Sequence, residues 1–271
     1  MTSRVAVIAG AGRFPFHVAD EAKRQGIGVV AVGIRGWADP ALASHVEAYE
    51  ELAIGELRRL IAWLQAQQVT QAIMAGKVTK DVLLDPRALF DAEVRAILAT
   101  VRDCSVPALL GAVGERLATH GITLLDSSTF LQACLCPAGV LTRRAPTAAE
   151  SADIEVGVRA SRALAAQDIG QTVIVKAKVV VAAEALEGTD AAIRRAHSLA
   201  GGGLVVVKVA SPSQDRRFDL PIIGPDTMAT CQAAGVSCLA LEARSTLLLE
   251  RDAVLAAANA GRLCVVGLAV S

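Results

Sequence analysis

The stretch from Glu184 to Thr227 gathers the side chains best suited to phosphate chemistry. It carries six carboxylates, Glu184, Glu187, Asp190, Asp215, Asp219 and Asp226, and five cations, Arg194, Arg195, Lys208, Arg216 and Arg217. Hard carboxylate oxygens suit Mg²⁺, and guanidinium and ammonium groups suit phosphate oxygens. Together the two sets are what a phosphate-ester or anhydride hydrolase requires. A charge run is also commonly a solvated face. From composition alone, the same residues describe first a solvated loop between strands and a helix with one charged side. Asp190 has its own structural role open to it: Thr189 can cap a helix over Asp190–Leu199, and Asp190 then complements the helix dipole.

Two further places offer anion contacts. Arg4–Ala9 is a β-branched run that reads as a buried strand, followed by Gly10-Ala11-Gly12-Arg13-Phe14-Pro15 and a helical pattern over Phe16–Gln25. Strand, glycine turn and helix form a Rossmann-like opening. Pro15 occupies the third glycine position of the dinucleotide fingerprint, and no acidic residue ends the second strand, Gly28–Val32, so NAD is not the expected ligand. Gly10 and Gly12 are read either as a backbone cradle for a phosphate or hydroxyl at a helix start or as a tight turn. Lys77 follows the strand Gln71–Ala75, at the strand end where parallel α/β sheets place ligands; a loop lysine is otherwise simply solvated.

These residues need a framework to hold them. Strands alternate with amphipathic helices over Glu56–Gln68, Glu93–Arg102 and Ala108–His120, which implies a mostly parallel sheet. Pro137–Pro146 (PAGVLTRRAP) lacks periodicity and reads as a connection. The expected organisation is α/β throughout: a Rossmann-like domain over 1–137, a linker over 138–146 and a second α/β domain, carrying the catalytic residues, over 147–271. In the second domain, Thr147 and Glu150 form a capping box for a long helix to Ala166. Strands are expected around Thr172–Ala183, Leu204–Val209, Cys238–Leu241, Thr246–Leu249 and Leu263–Leu268.

Composition removes several classes. The 271 residues are 53% hydrophobic but only 3% aromatic, so the core is aliphatic and base-stacking platforms are not expected. A formal net charge of +0 argues against a nucleic-acid binder. No run is long and apolar enough to span a bilayer, and the N-terminus lacks a signal-peptide pattern, so cytoplasmic residence is expected. The six cysteines lack a secreted framework's spacing and read as reduced, buried thiols. The four histidines do not cluster, and no HExxH or Walker loop occurs.

The segments IAGAGRFP, AGKV, DIGQTVIV, EALEGTDA and QDRRFDLPIIGPDT, with charged residues, Gly and Pro at fixed offsets, carry a resemblance. The chain resembles the bacterial UDP-2,3-diacylglucosamine pyrophosphatases of lipid A synthesis, the type outside the calcineurin-like fold. It departs from that pattern at Thr79-Lys80, Arg102-Asp103 and Ser211. The resemblance implies two α/β domains with the lipid substrate between them. It implies Mg²⁺-dependent (or Mn²⁺-dependent) hydrolysis to UMP and 2,3-diacylglucosamine 1-phosphate, lipid X. It places the catalytic aspartate at Asp219, and Asp219 with Glu187 or Asp190 would hold the metal. Arg216, Arg217 and Lys208 would clamp the pyrophosphate, with Gly10, Gly12, Lys77, Thr189, Gln214 and Asp215 as further substrate contacts. The implied partners are a UDP-linked diacyl sugar lipid, a transiently bound membrane surface at the cytoplasmic side and a second copy of the chain; no nucleic acid is implied. Two other readings stand beside it: a non-catalytic binder of the nucleotide-sugar lipid, and an oxidoreductase built on the glycine loop.

Overall fold

After the exposed Arg4, apolar residues run without interruption through Arg4–Ala9 (β1), as they do through Gly28–Ile34 (β2), and both strands are buried almost throughout. Strands covered on both faces read this way, whereas half-exposed ones alternate. The structure is a computed structural model describing residues 4–78, 89–101, 106–211, 215–218 and 220–269. It divides into two units, Met1–Leu131 with Asp215–Asp219, and Gln132–Gln214 with Leu220–Ser271.

The first unit is a Rossmann-like sheet. Its strands, with Ala48–Leu52 (β3), Gln71–Ala75 (β4) and Thr123–Leu124 (β5), lie in the order β3-β2-β1-β4-β5, every pair parallel. Phe14–Arg24 (α1) contacts β1, β2 and β4. Leu57–Ala66 (α2), Ala92–Thr100 (α3) and Val106–Thr119 (α4) supply Leu57, Leu64, Ile97 and Leu117 to a core with Ile8, Val30 and Val32. β3 has no counterpart in the sequence expectations. Its residues are AYEEL, half-exposed at the sheet edge, and charges on an edge strand hide the apolar pattern while discouraging further pairing.

The second unit is a mixed sheet. Gly139–Val140 (β6), Thr172–Lys176 (β7), Val179–Ala183 (β8), Leu204–Lys208 (β9), Val236–Glu242 (β11) and Cys264–Leu268 (β13) lie in the order β6-β13-β11-β9-β7-β8. The β13, β11 and β9 strands are parallel, while β7, β8 and β6 join antiparallel. Ile222–Ile223 (β10) and Leu247–Leu248 (β12) form a separate parallel pair. Period-two alternation divides the six-stranded sheet's core. Val205, Val207, Ala240 and Val266 pack with Ile154 of Ala148–Ala165 (α5). Ile174, Val206, Leu239 and Val265 pack with Ile193, Met228 and Val254, from Thr189–Ala200 (α6), Pro225–Ala233 (α7) and Arg251–Ala260 (α8).

The expected capping box is present at α5, with Thr147 and Glu150 bonded reciprocally. The run 138–146, expected as a linker, is instead built into the second unit. β6 pairs with β13, and Arg144 donates to both Glu150 carboxylate oxygens at 2.7 Å and to the carbonyls of Ser237 and Arg262. Proline and glycine there mark irregular backbone, and the side chains anchor it. Cys134, Cys136, Cys231, Cys238 and Cys264 are free thiols; burial pushes Cys136 up to about 11 and Cys231 to about 12, which keeps them protonated and inert.

Candidate active site

Two glycine turns at the carboxyl end of the first sheet fit into one another. Ala11 and Lys77 exchange N–H···O bonds of 2.8 and 2.9 Å, and Gly10 N–H donates to Ala75 O at 2.8 Å. A Cβ on Gly10 would lie 2.7 Å from Lys77 O, and one on Gly76 would lie 2.7 Å from the Gly10 carbonyl carbon. Gly10 is therefore required by the close approach of β4's turn. Gly12 differs: its φ is +93°, and nothing stands within 4 Å of where its Cβ would be. α1 follows at once, with Pro15 in its first turn and no side chain capping it. A helix start of this kind presents N–H groups that favour an anion. The Lys77 side chain is exposed beside this turn's partner strand.

In the second unit, Lys208 stands at the end of β9 with its side chain only 7% exposed. Its Nζ donates to Thr189 Oγ1 at 2.8 Å and to Thr172 Oγ1 at 3.1 Å, and lies 3.6 Å from Glu184 Oε2. Thr189 in turn donates to Glu184 Oε1 at 2.9 Å. Burial pushes the Glu184 carboxyl up, but the Lys208 charge and bonds from Thr172, Thr189 and the Gln171 backbone outweigh it, leaving its pKa below the ordinary value. Thr189 does not cap α6, as the sequence suggested. Gly188, at φ 83°, holds the N-cap position without a side-chain bond, and the Thr189 hydroxyl joins the network around Lys208.

The carboxylates expected to bind metal separate in role. Glu187 Oε1 accepts from Arg195 at 2.6 Å and Oε2 from Ala185 N–H at 3.1 Å, so its oxygens are already engaged. Asp190 lies in the first turn of α6, and its Oδ1 is buried without a hydrogen-bond partner. Glu184 Oε2 is likewise buried without one. Among the described residues no three His, Cys, Asp or Glu side chains form a metal cage. Mg²⁺ does not need one, because it commonly takes one or two carboxylates and completes its shell with water and substrate phosphate. The unpartnered, hard Asp190 oxygen fits that demand.

The expected arginine clamp is also differently employed. Arg216 Nε donates to Asp126 Oδ2 at 2.6 Å. Arg217 closes on Asp215 through Nε and Nη2, at 3.0 and 2.6 Å, and its backbone N–H donates to Asp215 Oδ1 at 3.0 Å. Both guanidinium groups thus meet protein carboxylates, Arg217 within its own turn and Arg216 on the turn after β5. Asp219, Gln214, Thr79, Lys80, Arg102 and Asp103 lie outside the described residues; Ser211 donates to Ala165 O at 3.0 Å.

Residues 4–134 match the family model described as the LpxI N-terminal domain, and residues 137–266 the LpxI C-terminal domain. A curated relative from Caulobacter vibrioides, named UDP-2,3-diacylglucosamine pyrophosphatase LpxI, is 30% identical over 277 residues, covering 98% of this chain and 97% of that protein. The chain belongs to the LpxI family. Among solved structures, UDP-glucose 4-epimerase of Thermotoga maritima aligns over 44% of this chain and 35% of its own, at 15% identity and TM-score 0.30. Glycinamide-RNase-transformylase T of Mycobacterium tuberculosis aligns over 67% and 44%, at 14% identity and TM-score 0.26. Neither likeness is close enough to carry an argument.

Within this LpxI chain, the sequence expectations gave no role to Thr172, Asp126, Ser127 or Ser128, and counted Glu184 only among the carboxylates. Thr172 faces Lys208 because β7 pairs with β9, and Glu184 joins them from the end of β8, where its N–H donates to Thr172 O. The Asp126-Ser127-Ser128 run does have the composition of a side-chain-bonded turn, and that was the available signal.

Proposed function

We propose that this chain hydrolyses the pyrophosphate of UDP-2,3-diacylglucosamine to UMP and 2,3-diacylglucosamine 1-phosphate, a step of lipid A biosynthesis. The observation that carries this reading is its full-length relationship to LpxI, with both domain models matched in order. Cleaving a phosphoanhydride requires positive charge at the phosphate oxygens and an activated water. Lys208 supplies a cation fixed by two hydroxyls and a carboxylate, which lowers the cost of reorganisation when charge develops. Thr189 is a hydroxyl that already donates and accepts. The uncapped start of α1, opened by Gly12, and the exposed Lys77 are suited to phosphate or uridine oxygens.

Asp219 is proposed as the catalytic carboxylate, with Gln214 beside the substrate. Asp190 and Asp219 would hold Mg²⁺ or Mn²⁺, which when bound neutralises charge on the phosphate oxygens. Glu187 instead orients Arg195. Among the described residues no helix is long and apolar enough to cross a membrane. Drawing acyl chains from the bilayer surface at about 0.8 kcal/mol per buried methylene fits a peripheral, cytoplasmic enzyme.

The test is incubation of purified protein with UDP-2,3-diacylglucosamine and Mg²⁺ in ¹⁸O-labelled water. UMP is the expected product, and the label identifies the phosphorus attacked. Tight binding of the lipid with no UMP released would replace this reading with that of a carrier.

A further inference from the structure

The segment 215–218 belongs to the first unit although the chain on both sides of it belongs to the second. Hydrophobic burial does not explain its attachment, since all four residues are only half-buried. What holds it is a polar socket just after β5. Asp126 Oδ1 accepts from the Ser128 N–H at 2.7 Å and the Ser128 hydroxyl at 2.6 Å, which fixes the carboxylate. Its Oδ2 then accepts from Arg216 Nε at 2.6 Å, and Arg216 Nη2 donates to Ser128 Oγ at 3.1 Å. The Ser127 N–H donates to Arg216 O at 2.9 Å. The Ser127 hydroxyl lies 2.7 Å from Arg217 O and 2.9 Å from Met74 O, so its one proton is shared between the segment and β4.

Ser127 and Ser128 are 2% and 0% exposed. Buried hydroxyls are retained only where they are bonded, and here their partners include the backbone and guanidinium of the segment. An exposed ion pair alone is worth little. This one is backed by buried donors on a rigid strand end, the arrangement that fixes geometry rather than adding much stability. The segment is also preformed from its own side, because Arg217 closes on Asp215 and stacks its guanidinium 5.6 Å from the Phe218 ring centre.

We propose that the Asp126-Ser127-Ser128 turn is a positioning element for the hydrolytic reaction, in which Asp126 acts through Arg216 to set the placement of the 215–218 segment. This rests on the pyrophosphatase reading above. Arg216 is then an anchor, and its charge is used by Asp126 instead of by substrate phosphate.

The test compares the full-length wild type with Asp126→Arg, Arg216→Asp and the reversed pair carrying both changes. UMP release, melting temperature and amide hydrogen exchange over 215–218 are measured on each. Each single reversal is expected to lower kcat tenfold or more, to move the melting temperature by no more than a few degrees and to speed exchange in the segment. The reversed pair is expected to recover kcat several-fold above either single variant and to restore slow exchange. Near-normal kcat in Asp126→Arg overturns the proposal. So does a reversed pair no better than Arg216→Asp, which would mean that Arg216 serves the substrate directly. If the wild type releases no UMP, the pyrophosphatase reading falls and the proposed role in hydrolysis falls with it, while the exchange data still decide whether the socket holds the segment.

Discussion

Lys208 Nζ and Glu184 Oε2 lie 3.6 Å apart with both side chains withdrawn from solvent, at 7% and 13% exposure. The pair is too long for a hydrogen bond, and the contacts are made through Thr189, which accepts from the lysine and donates to the glutamate. Thr189 therefore links the two charges, with Thr172 as a second acceptor for the lysine. Removing one charge leaves the other buried and uncompensated, which typically costs 3–5 kcal/mol. Lys208→Met is expected to destabilise the chain by about 3 kcal/mol or more in urea denaturation. Adding Glu184→Gln should return part of that loss. Strict additivity of the two changes would show that the residues are not coupled.

Thr189→Val tests this link while leaving both charges in place. It removes one acceptor from Lys208 and one donor from Glu184, so a loss of about 1–3 kcal/mol is expected. Thr189→Ser keeps the hydroxyl and should stay close to wild type. Equal effects of the two substitutions would point to the methyl group, and to packing, as the reason for threonine there.

The pH dependence of stability should report on Arg144. Its bidentate contact, offset by burial and aided by the Thr147 backbone bond, takes Glu150 from 4.5 to about 2. A folded pKa below the unfolded one stabilises the native state above the unfolded value, and that contribution is lost as pH falls from about 4.5 through about 2. Its size is about 3 kcal/mol at neutral pH. Arg144→Gln should therefore be markedly less stable than wild type at pH 7, and the gap should narrow by pH 3. A gap that stays constant over that range would assign the loss to the carbonyl bonds of Arg144 instead.

Gly10 and Gly12 should respond differently to alanine. At Gly10 the new Cβ meets Lys77 O at 2.7 Å, so the paired turns must separate, with an expected loss of about 1–3 kcal/mol. At Gly12 the space is open and the cost is the positive φ, roughly 1 kcal/mol. If Gly12 admits a phosphate to the start of α1, Gly12→Ala should raise KM beyond what its small stability loss explains. A folded Gly12→Ala enzyme with unchanged KM would reduce the turn to a structural feature.

Much of the framework was readable from local pattern. Continuous Val and Ile runs marked β1, β2 and β9, and Thr147 with Glu150 marked the start of α5. β3 was not, because Glu50 and Glu51 sit on an edge and break the apolar signal. The side chains proposed for the site were picked out by residue type, but their pairing was not legible. Arg216, Arg217 and Glu187 have the chemistry of ligand contacts, yet their partners Asp126, Asp215 and Arg195 are set by turn geometry and by contacts far apart in sequence. A guanidinium suited to phosphate is equally suited to carboxylate, and sequence alone gives no ranking between the two.

The remaining prediction concerns Asp219 and the cation. Its neighbours have been assigned: Arg217 pairs with Asp215, and Arg216 pairs with Asp126. Each turn arginine thus has a carboxylate of its own, so Asp219 is not required as either arginine's sole countercharge. Pro221 follows two residues later and favours extended backbone at Leu220. Asp219→Asn preserves shape and removes the charge. If Asp219 activates water or shares a cation with Asp190, kcat should fall about a hundredfold or more, the usual scale for losing such a group. The melting temperature should hold, because the amide keeps the size and shape of the carboxylate. EDTA should abolish wild-type turnover, and Mg²⁺ or Mn²⁺ should restore it. Asp190→Asn should raise the Mg²⁺ concentration needed for half-maximal rate, a readout that a merely structural aspartate would not move. Full turnover after exhaustive chelation would remove the metal from the reaction. A folded Asp219→Asn enzyme with near-normal kcat would remove that residue from the site.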